Sequence, residues 1–222
     1  QETKVVDELF PYDVFESLSY SVEAFGQKSY NGVANITKNG STQTSKGICG
    51  LVDPQTRVIS TTHKDVRVVN VYVPNGQAVG SEKFDYKLSW LKHLKKMLKD
   101  DLKKHPKMVV LGDFNIAPSD QDVHDPEKWK DKILCSAQER TMFEEILSLG
   151  FKDSFRLFEK EAGFHSWWDY RTAAYTKELG LRIDLLLISN ELVPLCKKSY
   201  IDEKPRWLER PSDHTPVVVE LS

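Results

Sequence analysis

Cysteine is scarce and badly placed for a framework: Cys49, Cys135 and Cys196 are odd in number and far apart. They give neither paired bridges nor zinc spacing, which predicts a reducing, cytoplasmic setting. No apolar run approaches the roughly 20 residues that cross a bilayer. Neither sign of charge dominates, with 31 basic and 33 acidic residues and a net charge of −2. That balance excludes a broad, sequence-blind polyanion binder and leaves local basic patches open. No Pro/Gly/Ser-rich linker divides the 222 residues, and no repeat is visible. A nucleophilic Ser or Cys motif is missing too, as is any close His/Cys pairing. What remains is an ordinary globular composition, 40% hydrophobic and 29% charged.

Residues 5–18 space Val5, Leu9, Phe10, Val14, Phe15 and Leu18 by helical steps, broken at Pro11. Strands are expected at Tyr20–Phe25 and Val33–Thr37, followed by a Gly/Ser/Thr/Asn-rich loop over 38–47. Arg57–Thr61 and Val66–Val73 read as paired strands, with Val69, Val71 and Val73 on one face and Asn70 and Tyr72 on the other. The clearest helix spans 81–104, with Ser81 as N-cap and an apolar stripe of Phe84, Leu88, Leu91, Leu94, Leu98 and Leu102. Lys92, Lys95, Lys96, Lys99 and Lys103 lie mostly on the other side and fit a solvated face or a DNA-facing patch. A loop is expected from Pro118 to about Lys132, then a helix over 138–149 closed by Gly150 at its C′ position. Strands at Arg182–Ser189 and Pro216–Leu221 complete the pattern, which predicts two packed sheets flanked by helices.

One stretch organises the rest. Val109-Val110-Leu111 runs into Gly112-Asp113-Phe114-Asn115, a buried strand ending in a polar loop. If extension continues through Phe114, Asp113 and Asn115 point the same way. Open α/β folds place chemistry at such strand ends, and ordinary strand exits also use Gly, Asp and Asn. Asp184 interrupts a leucine-rich strand, where a carboxylate is costly unless paired. His214, preceded by Asp213, supplies the natural partner, although an Asp-His pair also caps strands. Glu2, Asp113 and Asp213 make an acidic set with no soft donor, which favours Mg²⁺ or Mn²⁺ over zinc. Tyr72 adds a phenol beside the Pro74-Asn75-Gly76 turn. Acids, an amide, a phenol and a lone histidine suit metal-assisted phosphodiester hydrolysis by water.

The motifs occur in a telling order: Gln-Glu-Thr-Lys at 1–4, Asn-Val-Tyr-Val-Pro-Asn-Gly at 70–76, Leu-Gly-Asp-Phe-Asn at 111–115, Ser-Trp-Trp-Asp-Tyr-Arg at 166–171, Gly-Leu-Arg-Ile-Asp at 180–184 and Ser-Asp-His at 212–214. Together they resemble the exonuclease III family of apurinic/apyrimidinic endonucleases, within the endonuclease/exonuclease/phosphatase superfamily. Gly-Asp-x-Asn and Ser-Asp-His mark the superfamily; Gln-Glu-Thr-Lys and Trp-Trp-Asp-Tyr-Arg narrow it to the DNA-repair branch. The resemblance implies a four-layer α/β sandwich of two mixed, mostly antiparallel sheets flanked by helices. It implies a monomeric, Mg²⁺-dependent enzyme, with Mn²⁺ as substitute, acting on duplex DNA 5′ to abasic sites and at 3′ ends. By the same resemblance Glu2 ligates the metal, with Asp213 supporting it. Asp113 orients or deprotonates water, and Asn115 positions water and phosphate. His214, held by Asp184, and Tyr72 contact the phosphate. Trp167 lines the pocket for a baseless sugar, and Arg171 touches the DNA backbone.

Two rival readings share the superfamily. A non-cutting nucleic-acid- or protein-binding regulator on the same fold would lose Gly-Asp-x-Asn, which is intact here. A phosphatase of inositol lipids or a sphingomyelin phosphodiesterase would not carry Trp-Trp-Asp-Tyr-Arg. The family pattern also opens with a strand bearing Trp-Asn-Val-Asn, then a helix and a second strand, none of which precedes Gln1 here. The expectation is one domain over 1–222, N-terminally incomplete.

Overall fold

The computed structural model describes all 222 residues. Pro11 splits the first apolar stretch into a 3-10 turn, Asp7–Leu9, and a short helix α1, Tyr12–Glu16. β1 (Tyr20–Phe25) and β2 (Val33–Lys38) pair antiparallel as a ribbon. The stretch expected to be loop over 38–47 contains a strand, β3 (Thr42–Lys46), exposed along its whole length. Its Thr-Gln-Thr-Ser-Lys sequence has no apolar alternation; backbone pairing at a sheet edge holds it.

β4 (Val58–His63) and β5 (Val66–Tyr72) form the expected hairpin. Helix α2 (Glu82–Leu102) starts where Ser81 Oγ accepts from the Phe84 N–H at 3.2 Å. It carries the chain over to β6 (Met108–Asp113), which pairs parallel with β5. The next loop holds a one-turn helix, α3 (Pro126–Trp129), with Pro126 at its first position. Helix α4 (Ala137–Leu147) opens on a reciprocal Ser136–Glu139 capping box. It ends at Ser148, so Gly150, with φ 115°, falls beyond the expected C′ position. β7 (Phe151–Asp153) and α5 (Phe155–Phe158) follow, then β8 (Asp184–Ser189), β9 (Cys196–Ile201) and β10 (Val217–Leu221).

Six strands make one mixed sheet in the order β3-β4-β5-β6-β8-β7, antiparallel except at β5–β6. The remaining strands form two separate ribbons, β1–β2 and β9–β10. Val69, Val71, Val110, Leu185 and Leu187 face α2 and α4, where Trp90, Leu91, Leu94, Leu98, Met142, Phe143 and Ile146 close the main core. The intervening residues Val109, Leu186 and Ile188 face Val217, Val219 and Leu221 of β10. Burial on both faces is why these strands read as unbroken apolar runs rather than alternating ones. The ribbons pack on that second face, with β1–β2 against β4 and β5, and β10 against β8. α1 lies against β1 and α5 against β9, so both strand layers carry helices. The result is a mixed α/β architecture of a large sheet and antiparallel ribbons flanked by helices.

Strand register decides where the polar ends meet. Tyr72 of β5 is paired with Asp113 of β6, and Asp113 with Asp184 of β8. Three residues distant in sequence thus stand in one row across the sheet.

Candidate active site

Asp184 begins β8 and is buried. His214, arriving just before β10, sets Nδ1 at 2.9 and 3.1 Å from its two carboxylate oxygens. Ser166 supports the pair: its hydroxyl donates to Asp184 Oδ2 at 2.7 Å and accepts the Ile183 and Asp184 N–H groups. The Ser166–Trp168 segment lies alongside Asp213–Thr215 through Thr215 N–H to Ser166 O and Trp168 N–H to Asp213 O. Trp167 bridges antiparallel to His214 and donates its indole N–H to Asp213 Oδ2 at 3.0 Å. That second link orients the Asp213 carboxylate.

Asp113 and Asn115 do converge, but not by strand alternation. Asn115 adopts φ 49°, which ends the extension. Its backbone N–H donates to Asp113 Oδ1 at 2.8 Å, and its side-chain amide donates to Asp113 Oδ2 at 3.0 Å and to Val73 O at 3.1 Å. An aspartate that accepts a backbone N–H two residues on, with an asparagine in the left-handed region, is a turn chemistry these two residue types tolerate best. Gly112 is required just before it, because a Cβ there would collide with the Val71 carbonyl.

Glu2 comes from the opening segment, whose Thr3 and Lys4 N–H groups bond to Gly32 O and Asn31 O beside β2. Tyr72 OH donates to Glu2 Oε1 at 2.7 Å, and Lys4 Nζ lies 3.1 Å from Glu2 Oε2. Arg57 stacks over the Tyr72 ring at 4.7 Å. Glu2, Asp113, Asp184, Asp213 and His214 line one cavity of about 630 Å³. Tyr72 and Trp167 join it through Glu2 and through Asp213 and His214, and Asn115 sits behind Asp113. Arg171 is not drawn in: it stands on an exposed turn, its guanidinium over the Tyr170 ring at 5.7 Å.

The environment separates the roles of these groups. Burial, then the Asp184 charge, holds the Asp113 carboxyl well above the usual carboxylate range. Burial opposes charging His214, but the Asp184 carboxylate outweighs it and the ring is pushed up to about 9. Burial likewise disfavours the Glu2 charge, yet the Tyr72 and Lys4 bonds hold its carboxyl below the ordinary value. Burial and Glu2 push the Tyr72 phenol far up, so it stays a donor.

No three His, Cys, Asp or Glu side chains converge within ligating reach of one point. A zinc centre would need such a cluster; Mg²⁺ is held by one or two carboxylates and retains water. The all-oxygen donor set of Glu2 and Asp213 on one cavity fits the latter.

Sequence reasoning passed over Asn75, Ser166, Gln1 and Lys87. Asn75 read only as a turn residue, yet its amide donates to Asn115 Oδ1 at 2.9 Å. Gln1 donates to Asn70 Oδ1 at 2.6 Å, and Asn70 continues to Ala34 O and Asn35. Ser166 read only as the first residue of the Ser-Trp-Trp-Asp-Tyr-Arg motif; its own role appears once Asp184 is folded against it.

Comparison with known proteins gives the family and the fold. The model of the Endonuclease/Exonuclease/phosphatase family matches residues 1–214. Exodeoxyribonuclease III of Haemophilus influenzae is 35% identical over 234 aligned positions, covering 100% of this chain and 88% of the relative. Among solved structures, the 3′ phosphatase NExo from Neisseria bound to a product DNA hairpin has a TM-score of 0.98 at 43% identity, covering 100% of this chain and 86% of that one. An AP endonuclease from Archaeoglobus fulgidus has a TM-score of 0.94 at 35% identity, covering 99% and 86%.

Proposed function

Because the chain belongs to the endonuclease/exonuclease/phosphatase family, we propose that it is a Mg²⁺-dependent DNA-repair phosphodiesterase. It hydrolyses duplex DNA 5′ to abasic sites and trims or unblocks 3′ ends. One observation carries the reading: Tyr72, Asp113 and Asp184 share a register row, with His214 bonded to the last of them. That row offers a base, a phenolic donor and a cationic donor side by side.

Asp113 takes the proton of the attacking water, a role suited to a carboxyl whose pKa is raised toward neutrality. Asn115 keeps the Asp113 carboxylate in one orientation. His214, charged beside Asp184, donates to the scissile phosphate and stabilises charge as it develops. Tyr72 donates to another phosphate oxygen. Glu2 and Asp213 would hold the metal, and the chemistry it would supply there is Lewis-acid stabilisation of negative charge. Trp167 walls the place of a sugar without its base, and Arg171 meets the DNA backbone from the rim.

The 3′-end activity has support of its own in the similarity to the Neisseria 3′ phosphatase, which exceeds that to the Archaeoglobus AP endonuclease. The test uses two duplexes, one with a single abasic site and one with a 3′-phosphate at a nick. Cleavage leaving a 3′-hydroxyl should vanish in EDTA and return with Mg²⁺ or Mn²⁺. Full activity in EDTA, or turnover of neither duplex with Mg²⁺, would overturn the proposal.

A further inference from the structure

Lys87 occupies a place in α2 where the pattern calls for an apolar residue, three after Phe84 and four before Leu91. It is 0% exposed, and lysine is almost never fully buried unless paired. Its ammonium makes three bonds, one for each proton: to Asn115 O at 2.7 Å, to Asn75 O at 3.1 Å, and to a Glu139 carboxylate oxygen. Glu139 is equally buried and also accepts from Leu134 N–H, Ser136 N–H and the Ser136 hydroxyl. Burial works against the charge on Lys87 and Glu139 works for it.

Such a pair is a weak source of stability, because removing two charges from water offsets their attraction, and packed apolar residues serve as well. Apolar residues could not hold two inward-facing carbonyls. Asn75 and Asn115 both lie in turns outside the sheet ladder, and their carbonyls converge on one ammonium. Beyond it their side chains form a chain of amides, Asn75 to Asn115 at 2.9 Å and Asn115 to Asp113 at 3.0 Å.

We propose that Lys87 is a positioning residue for phosphodiester cleavage: its ammonium, braced by Glu139, pins the backbone of Asn75 and Asn115 and thereby sets the amide chain that orients Asp113. The proposal rests on Asp113 and Asn115 being catalytic, as argued above. It explains why a helix otherwise devoted to the apolar core spends one inward position on a charge.

Lys87→Met alone leaves Glu139 unpaired, so loss of folding and loss of activity would coincide. The double change Lys87→Met/Glu139→Met removes both charges and separates them. Its melting should return close to wild type, whereas kcat should stay ~10–100-fold low with KM within about threefold, the pattern of lost positioning. Amide exchange at Asn115 and Ala117 should speed up ~10-fold or more, while Val109–Leu111 in β6 stays protected. A double variant with wild-type melting, kcat and Asn115 exchange would overturn the proposal. Should neither methionine variant fold, Lys87→Arg decides, because it keeps the charge but presents a planar fork to three acceptors. A kcat reduced at least tenfold with β6 still protected supports the role, and wild-type kcat refutes it. If wild-type protein cleaves neither duplex, the functional reading fails, and the exchange experiment still reports whether Lys87 orders the turn.

Discussion

Around Arg182 buried charges cancel, and two residues away, around Asp184, they do not. The Arg182 guanidinium donates to Asp122 Oδ1 at 2.7 Å and Asp153 Oδ2 at 2.6 Å, and Arg156 gives Asp122 a second bond at 2.6 Å. Two cations meet two carboxylates, and the result ties the loop at Asp122 to β7 and the entry to β8. The cavity side gathers Glu2, Asp113, Asp184 and Asp213 against His214 and a half-exposed Lys4. The same residue type responds in opposite directions. Burial disfavours the Asp122 charge, but Arg182 and Arg156 outweigh it and hold the carboxyl low, whereas burial and Asp184 push Asp113 up. Burial alone therefore does not mark a functional group. The imbalance does, because a phosphodiester cannot approach an excess of carboxylates unless a cation joins them.

The sharpest test of this contrast is Asp113→Asn. It should lower kcat by roughly 10²–10⁴ while changing melting little, since relief of the charge facing Asp184 offsets the one Asn115 bond that an amide nitrogen cannot accept. Steady-state rates and thermal melts on the same preparation check both halves; a variant that unfolds would erase the distinction between the clusters. Next come Asp184→Ala and His214→Ala. Each should cost about 10²–10⁴ in rate, and the double change little more than the worse single one, because the two act as a unit. Multiplicative losses would mean that they work separately.

On the compensated side, Arg182→Met should destabilise by about 3–5 kcal/mol, leaving Asp153 buried without its partner and Asp122 with Arg156 alone. Denaturant unfolding measures it, and the folded fraction should retain activity within a few fold. A smaller effect belongs to His214. Its pKa is raised from the ordinary 6.5 to about 9, so the folded state binds the proton more tightly than the unfolded chain does. The stability it contributes is fully present below about pH 6.5 and is lost as pH rises through about 9. Wild type should therefore exceed Asp184→Asn by on the order of 1–2 kcal/mol near pH 6, and the gap should close toward pH 9.5 in paired melts. A gap independent of pH would show that the pair is not charged. The smallest expected change is Trp167→Ala, which should reduce abasic-site cleavage about tenfold with Mg²⁺ binding retained, one lost apolar contact being worth ~1–3 kcal/mol. Equal loss of both would point to misplacement of Asp213 instead.

Much of this was legible in advance, and the failures share a cause. The α2 stripe and its Ser81 cap, the β4–β5 hairpin and the apolar β6 and β8 are written in local periodicity, and each formed. β3 was not legible, because an exposed polar strand has no pattern and exists only through its neighbour. Asp113, Asp184 and His214 were visible as chemistry in conspicuous surroundings. Asn75 looked like a turn residue, Ser166 stood only as the first residue of a motif, and nothing in the sequence singled out Lys87.

By itself, then, the sequence determined the strongly patterned helices and strands and which residue types stand at their polar ends, because both follow from side chains within a turn or two of one another; β3 needed its neighbour. Tertiary structure alone decided that Tyr72, Asp113 and Asp184 share one row, that Asn115 bends back onto Asp113, and that Lys87 faces inward. Register across a sheet and the partners of a buried charge are long-range pairings. They are selected by the free energy of the whole packed core, and no window of sequence contains that quantity.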